Sequence, residues 1–202
     1  MLYLVGGFLC QRHDEVRDLI AKLLTEVCGD VRKEPKLQSL SGEQFKYKSA
    51  TKDDQAALDV SALGFWTRGQ RTFFDIRIFD PMAASHFNQN LPSVHKKVEK
   101  EKMRKYGERI IGVEQGSFTP LIFSIQGGMS PQTQMFFKRL VDLMVTKKQG
   151  TRAFFMSWLR CRMSFSLLRS ALLCLRGERT RRVEDISTLA YDEVVMSSKI
   201  KN

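Results

Sequence analysis

Residues 57–79, ALDVSALGFWTRGQRTFFDIRIF, decide the fold class. Two apolar runs with alternating character, 57–63 and 72–79, flank a basic turn at 67–71. The first run ends at a glycine and the second at an Asp-Pro pair. This pattern predicts two strands joined as a β-hairpin. Because both runs are strongly apolar, we expect the hairpin at the centre of a sheet.

The segments before the hairpin predict one helix and little else that is regular. Apolar residues recur at three- and four-residue steps over 11–28, which indicates an amphipathic helix stopped by Gly29, whereas the Gly6-Gly7 pair favours a turn. Pro35 favours an extended segment over 31–40. The polar stretch 41–55 is typical of a loop or a weak hairpin.

The segments after the hairpin predict a basic helix over 95–113, a strand over 119–125, and two further helices. The Ser130-Pro131 pair is a preferred helix start, and this helix extends to about residue 145. The last helix covers 152–176. We expect its large apolar side chains to face the core: Phe154, Phe155, Trp158, Phe165, Leu168, Leu172 and Leu175.

The order helix, three strands, helix, strand, helices favours an α/β fold with a mixed sheet flanked by helices. The 202 residues suffice for one domain. We expect a remnant of an upstream segment over 1–10, an α/β core over 11–148, a basic helix packed on that core over 149–177, and a polar tail over 178–202.

Composition excludes several classes of protein. At 43% hydrophobic and 27% charged residues, the chain is neither disordered throughout nor collagen-like. Its four cysteines lack a CxxC pair, which argues against a disulfide framework or a zinc knuckle and predicts reduced, mostly buried thiols. Gly127-Gly128 lacks the lysine of a P-loop. With no long apolar run and no signal peptide, we expect a nuclear or cytoplasmic protein with no membrane partner.

Two carboxylates stand out inside the hairpin. Asp59 and Asp75 lie in apolar strands that we expect to pair, where a charged group is costly unless it has a partner. Paired carboxylates supply the hard oxygen ligands that Mg²⁺ or Mn²⁺ prefers, and such a metal supports phosphodiester hydrolysis. The alternative is that each aspartate pairs with an arginine, for instance Asp75 with Arg71 or Arg77, and has only a structural role.

The spacing of these aspartates resembles the PD-(D/E)xK nuclease signature. Leu58 takes the place of the proline, and Arg77 stands where the lysine usually lies. Arginine stays protonated, so Arg77 could stabilise negative charge but could not accept a proton.

A wider set of segments resembles the restriction-like endonuclease of site-specific non-LTR retrotransposons and related invertebrate retroelement-derived reading frames. The segments occur in the family's order: 12–22 (RHDEVRDLIAK), Glu34-Pro35, 58–60, 74–77 and 102–106 (KMRKY). The resemblance implies a restriction-endonuclease-like fold and metal-dependent nicking of DNA. It implies that Asp59 and Asp75 are metal ligands. It also implies that Lys102 or Lys105, on the following helix, acts as the base, because Arg77 cannot accept a proton. Tyr106 would lie beside these lysines.

The family places a zinc knuckle before the Arg-His helix and carries a reverse transcriptase domain, and this sequence shows neither. We therefore expect one piece of a larger protein. Two functions remain open at this stage: an active nicking endonuclease, and a catalytically inactive nucleic-acid-binding relic of the same fold. A lysine that reaches the two aspartates would favour the first function, whereas the lack of such a lysine, or a basic helix turned away from the site, would favour the second.

The formal charge of +11, from 33 Lys and Arg against 22 Asp and Glu, indicates a polyanionic partner, with DNA first and the element RNA as a further candidate. The basic helix is either a phosphate-binding surface or a solvated face. Glu15 is a candidate third metal ligand, or a solvated side chain. The candidate nucleic-acid contacts are Arg12, His13, Lys96, Lys97, Arg104, Tyr106, Arg160 and Arg169. His13 has the alternative of a plain helix-terminal position.

Overall fold

The computed structural model describes residues 2–86 and 88–176, with side chains over 10–86 and 88–172. The described chain is an α/β structure with one four-stranded mixed sheet. Its strands are β1 (Gly29–Lys33), β2 (Val60–Leu63), β3 (Arg71–Phe79) and β4 (Ser117–Ser124). The helices are α1 (Leu2–Thr25), α2 (Leu91–Lys102), α3 (Glu108–Gly112), α4 (Pro131–Lys148) and α5 (Arg152–Arg176), with a π-helical turn at Met103–Gly107 between α2 and α3.

The sheet order is β1-β2-β3-β4. β2 is antiparallel to both β1 and β3, with Val60 opposite Phe74. β3 and β4 are parallel, with Asp75 opposite Pro120. The predicted hairpin is therefore confirmed, and its two strands are the central ones of the sheet, but the first strand begins at Val60 rather than at residue 57.

Alternate side chains of β3 pack on opposite faces of the sheet. Phe74 and Ile76 belong to the main core, which α1, α4 and α5 cover. Phe73 packs in a second cluster with Tyr106 and Ile110, from the π-helical turn and α3. Because the odd-numbered side chains of β3 point toward this second face, Asp75 lies under the basic helical segment.

Helix positions are predicted well and helix ends less well. The Ser130 start of α4 is confirmed, since the Ser130 side chain accepts a hydrogen bond from the Thr133 N–H. The turn predicted at Gly6-Gly7 is wrong, because α1 begins at Leu2 and residues 2–10 continue it without a break. Each mid-helix glycine costs about 1 kcal/mol, which a helix of 24 residues can absorb.

Two burial predictions are wrong. Phe155 on α5 is buried, but Phe165, Leu168 and Leu172 are exposed, because α5 carries two apolar stripes and only one can face the core. The thiols are not mostly buried either, since Cys10 and Cys161 are exposed. Burial nevertheless raises the pKa of the half-buried Cys28 thiol to about 11.

The predicted tail at 178–202 lies outside the described residues. Within the described chain, none of the helices has the length and apolar character that a membrane crossing requires.

Candidate active site

The two aspartates lie where the sheet narrows. β2 begins at Val60, so Asp59 immediately precedes the paired residues, and the register places it opposite Asp75. Beyond this point β3 continues to Phe79 with only β4 beside it. Because β2 begins only at Val60, the part of β3 after Asp75 has no strand on that side. Its backbone N–H and C=O groups there need other partners, and we call this place the step in the sheet.

Asp59 supplies one of those partners. Its Oδ2 accepts a hydrogen bond of 2.5 Å from the Ile76 N–H, a group that β2 would satisfy if it extended further. His13 on α1 supplies the other, because its Nε2 lies 3.2 Å from the Ile76 carbonyl oxygen and 3.3 Å from Asp59 Oδ2. Both neighbours of Nε2 are acceptors, so this nitrogen carries a proton. The hydrogen bond to Asp59 is the main reason that the pKa of His13 is raised.

Asp75 is the most buried carboxylate of the site, with 6% of its surface exposed. Burial raises its pKa, and the negative charge of Asp59 acts in the same direction. The Lys102 ammonium opposes both effects, since its Nζ lies 2.6 Å from Asp75 Oδ2. The contact is an ion pair rather than a hydrogen bond of good geometry, because Oδ2 is buried with no such bond.

Lys102 is held at the junction of α2 and the π-helical turn. Tyr106 lies one turn further on and is buried, and the Lys102 Nζ is 5.7 Å from the centre of its ring. Lys105 packs on the same ring at 4.9 Å. A π-helical turn inserts an extra residue, and such insertions are frequent at functional sites. Here the turn lets both lysines contact one aromatic ring while only Lys102 has an ion pair with Asp75.

The long connection that leads to Asp59 is fixed by Arg109, a residue that sequence reasoning did not select. Its side chain is fully buried and donates hydrogen bonds of 2.8 Å to the carbonyl oxygens of Gln38 and Asp53. Glu108 adds a contact by accepting a hydrogen bond from the Lys46 N–H. A signal for Arg109 did exist, because it follows Val98, Lys102 and Tyr106 at helical steps, and all four face inward.

Asp75 pairs with neither Arg71 nor Arg77, which were its alternative partners. Arg71 binds Asp30 and the Ser61 hydroxyl instead. Arg77 is exposed, and within the described residues its side chain makes no ion pair. Of the basic residues proposed for catalysis, only Lys102 contacts one of the two carboxylates in the described part of the chain.

The candidate nucleic-acid contacts differ in exposure. Arg12 and Tyr106 are 9% and 8% exposed, which leaves them little surface for a partner. His13 is half-buried against Asp59. Arg169 is half-buried. The remaining candidates are exposed: Lys96, Lys97, Arg104 and Arg160.

Possible metal ligands are limited to a small set. Within residues 2–86 and 88–176, no group of three or more His, Cys, Asp or Glu side chains is arranged to hold a metal ion. Glu15 is half-buried on α1 and belongs to no such group with the two aspartates. The candidate ligands at the step in the sheet are therefore Asp59 and Asp75.

No model of a known protein family matches this chain, and no curated protein matches it.

Asp59, Asp75, Lys102 and His13 come from four separate elements of the chain and meet at one step of the sheet. The arrangement combines two hard oxygen donors, one cation against the more buried carboxylate, and one imidazole that orients the other. Such a group can bind a divalent cation and stabilise negative charge that develops on a phosphate.

Proposed function

We propose that this chain is a metal-dependent endonuclease that nicks DNA, with a restriction-endonuclease-like arrangement of its sheet and catalytic residues. The observation that carries the proposal is the approach of Lys102 to Asp75 at 2.6 Å. The sequence places this lysine 27 residues after the aspartate, on a different element, and the fold returns it to the carboxylate pair. Asp59 lies opposite Asp75 in the register, so the lysine approaches a pair of carboxylates rather than one.

The carboxylate pair fits a magnesium ion. Asp75 is buried and Asp59 lies opposite it in the register, so two carboxylates converge, and the charge of Asp59 helps to raise the pKa of Asp75. Lys102 compensates part of this charge through Asp75 Oδ2, and a divalent cation would compensate the rest. Mg²⁺ binds through one or two carboxylates and keeps several waters, so a third protein ligand is not needed. When bound by Asp59 and Asp75, Mg²⁺ or Mn²⁺ would supply an activated water and neutralise phosphate charge.

The side chains of the chain itself have separate tasks in this proposal. Lys102 contacts Asp75 through Nζ, and it would stabilise the negative charge that develops on the phosphodiester. His13 holds the Asp59 carboxylate in position through Nε2. Tyr106 limits the movement of Lys102 by packing against its ammonium.

The basic face of α2 supports DNA as the substrate. Lys96 and Lys97 are exposed on the helix that ends with Lys102. They lie roughly 120–140° around the helix axis from Lys102, so they would hold DNA phosphates on the outer surface of α2, beside the carboxylate pair rather than in line with it. Contacts of this kind make binding weaken steeply with salt. The relic alternative shares this surface, and it differs only in the absence of cleavage.

The proposal is tested with supercoiled plasmid and the full chain, in Mg²⁺, in Mn²⁺ and in EDTA. We expect nicking with either metal and none in EDTA. Asp75→Asn is expected to lower the nicking rate at least a hundredfold and to leave DNA retention at low salt unchanged. Asp80→Asn is the matched control, because Asp80 is exposed at the end of the same strand. Retention of DNA without nicking by the wild type in either metal would refute the nuclease and leave the relic.

A further inference from the structure

Helix α5 presents two apolar faces, and the described part of the fold covers only one of them. The buried face has a residue every four positions, and its members are at most 2% exposed: Phe155, Leu159, Met163 and Leu167. The second face carries side chains that are 62%, 57% and 45% exposed, at Phe165, Leu168 and Leu172. The exposed Cys161 precedes them on the same side. We call Cys161, Phe165, Leu168 and Leu172 the α5 stripe.

The spacing of the α5 stripe is that of a coiled-coil seam. Its members are separated by four, three and four residues, so they occupy successive a and d positions of a heptad repeat. Single exposed apolar side chains on a surface are ordinary, but a row that keeps one face over three turns indicates an interaction surface. The half-buried Trp158 continues the seam by three residues toward the helix N-terminus.

Charge indicates the kind of helix that would cover the stripe. The 25 residues of α5 contain five arginines and no acidic residue. Arg162 and Arg169 each follow a d position directly, and Arg176 repeats the same seven-residue interval in the sequence. The Arg162 guanidinium lies 5.1 Å from the Trp158 ring centre, which keeps positive charge at the border of the seam. One flank of the stripe is therefore a basic row at the e position of the heptad.

We propose that the α5 stripe binds an amphipathic helix of a partner protein whose apolar seam is bordered by glutamate or aspartate. Flanking charges of opposite sign select partner and orientation in coiled coils. A second copy of α5 is disfavoured in antiparallel register, because the two arginine rows would lie together. In parallel register the arginines would face the g positions, which are Ser157, Ser164 and Ala171 and offer no acidic partner. Nucleic acid is disfavoured for this face, because the side chains of the seam are apolar and offer no ligand for phosphate.

Two synthetic helices test whether the α5 stripe prefers a partner with acidic flanks, a preference that we call the charge rule. Each has three heptads with leucine at a and d; one carries glutamate at e and g, and the other carries lysine there. Binding of each labelled peptide to the full chain is followed by fluorescence anisotropy at low salt. We expect the glutamate peptide to bind at least tenfold more tightly than the lysine peptide. Arg162→Glu is expected to reduce this preference about tenfold.

A pair of matched variants tests the site. Leu168→Glu is expected to weaken binding of the glutamate peptide more than tenfold, whereas Met135→Glu, at a 58% exposed position on α4, leaves it unchanged. Both variants should melt at the wild-type temperature, since neither side chain is in the core. If Leu168→Glu does not fold, Phe165→Gln with Leu168→Gln replaces it, with the same expected loss.

Several results would overturn the proposal. Equal binding of the two peptides, or no binding of the glutamate peptide, would remove the charge rule. Unchanged binding after Leu168→Glu would remove the site. A dimer in sedimentation that Leu168→Glu dissociates would identify a second copy as the occupant. If duplex DNA displaces the glutamate peptide, and Leu168→Glu also loses the binding of that DNA, the face would be assigned to nucleic acid.

Discussion

The ion pair between Lys102 and Asp75 predicts a strong and pH-dependent energetic coupling. At 2.6 Å and an effective dielectric constant of about 20, the Coulomb attraction is about 6 kcal/mol before the cost of desolvation. Removing one partner of a buried pair costs about 3–5 kcal/mol. The side chains of Lys102 and Asp75 are 22% and 8% exposed, so the pair is only partly shielded from water. We therefore expect the cost of Lys102→Met to lie at the lower end of that range, as a loss of about 3 kcal/mol in the free energy of unfolding at pH 8.

The cost should depend on the charge of Asp75. In the Asp75→Asn background the same lysine change is expected to cost less than about 1 kcal/mol, which gives a coupling energy of about 2 kcal/mol. The pKa of Asp75 is raised in the folded state, and loss of Lys102 raises it further, because Lys102 acts to lower it. The folded state then binds the proton more readily than the unfolded state, so the penalty of Lys102→Met decreases as the pH falls through the pKa of Asp75.

The assay is urea unfolding of the wild type, both single variants and the double variant, followed by circular dichroism at pH 8 and at pH 5. Lys100→Met is the control, because Lys100 is an exposed lysine on the same helix. Additive losses within about 0.5 kcal/mol at pH 8 would refute the reasoning, since independent residues add to that accuracy.

Three further predictions concern the core, a close backbone approach and the imidazole of the site. Phe136 packs on Phe65 and Phe74 and is fully buried, so Phe136→Ala should cost about 3–5 kcal/mol in urea unfolding; a loss below 1 kcal/mol would contradict the packing. A Cβ at position 116 would lie 2.8 Å from a backbone oxygen, so Gly116→Ala should lower the melting temperature whereas Gly112→Ala, in open space, should not. The raised pKa of His13 means that its protonated form stabilises the fold, with the full effect below the ordinary value of 6.5 and loss as the pH rises through the folded pKa. His13→Gln should therefore destabilise the chain more at pH 6 than at pH 9, and a pH-independent loss would contradict the contact with Asp59.

The fold was predictable where a pattern is local. Alternation over 57–79 is sufficient to predict the central hairpin, because strand periodicity and turn residues act within a few positions. Ser130 and Pro131 mark the start of α4 for the same reason. The buried and the exposed stripe of α5 could not be told apart, because the sequence shows that a side chain is apolar but not whether a neighbouring element covers it.

The site was predictable in its carboxylates but not in its contacts. Asp59 and Asp75 stand out as charges inside apolar strands. The choice between Lys102 and Lys105 depends on the π-helical turn, which changes the angular position of one lysine relative to the other and leaves no local signal. The contact of His13 with Asp59 joins residues 46 positions apart and arises only from the packing of α1 on the sheet.

The central claim, that the carboxylate pair with Lys102 cleaves DNA, is tested most directly by single-turnover nicking of supercoiled plasmid by purified wild type, Lys102→Gln and Lys100→Gln in Mg²⁺. The account predicts that Lys102→Gln lowers the nicking rate at least a hundredfold while DNA retention stays within twofold of the wild type. Lys100→Gln, which removes the same charge two residues away, should nick at nearly the wild-type rate. Equal nicking rates for the two variants, or no metal-dependent nicking by the wild type, would contradict the account.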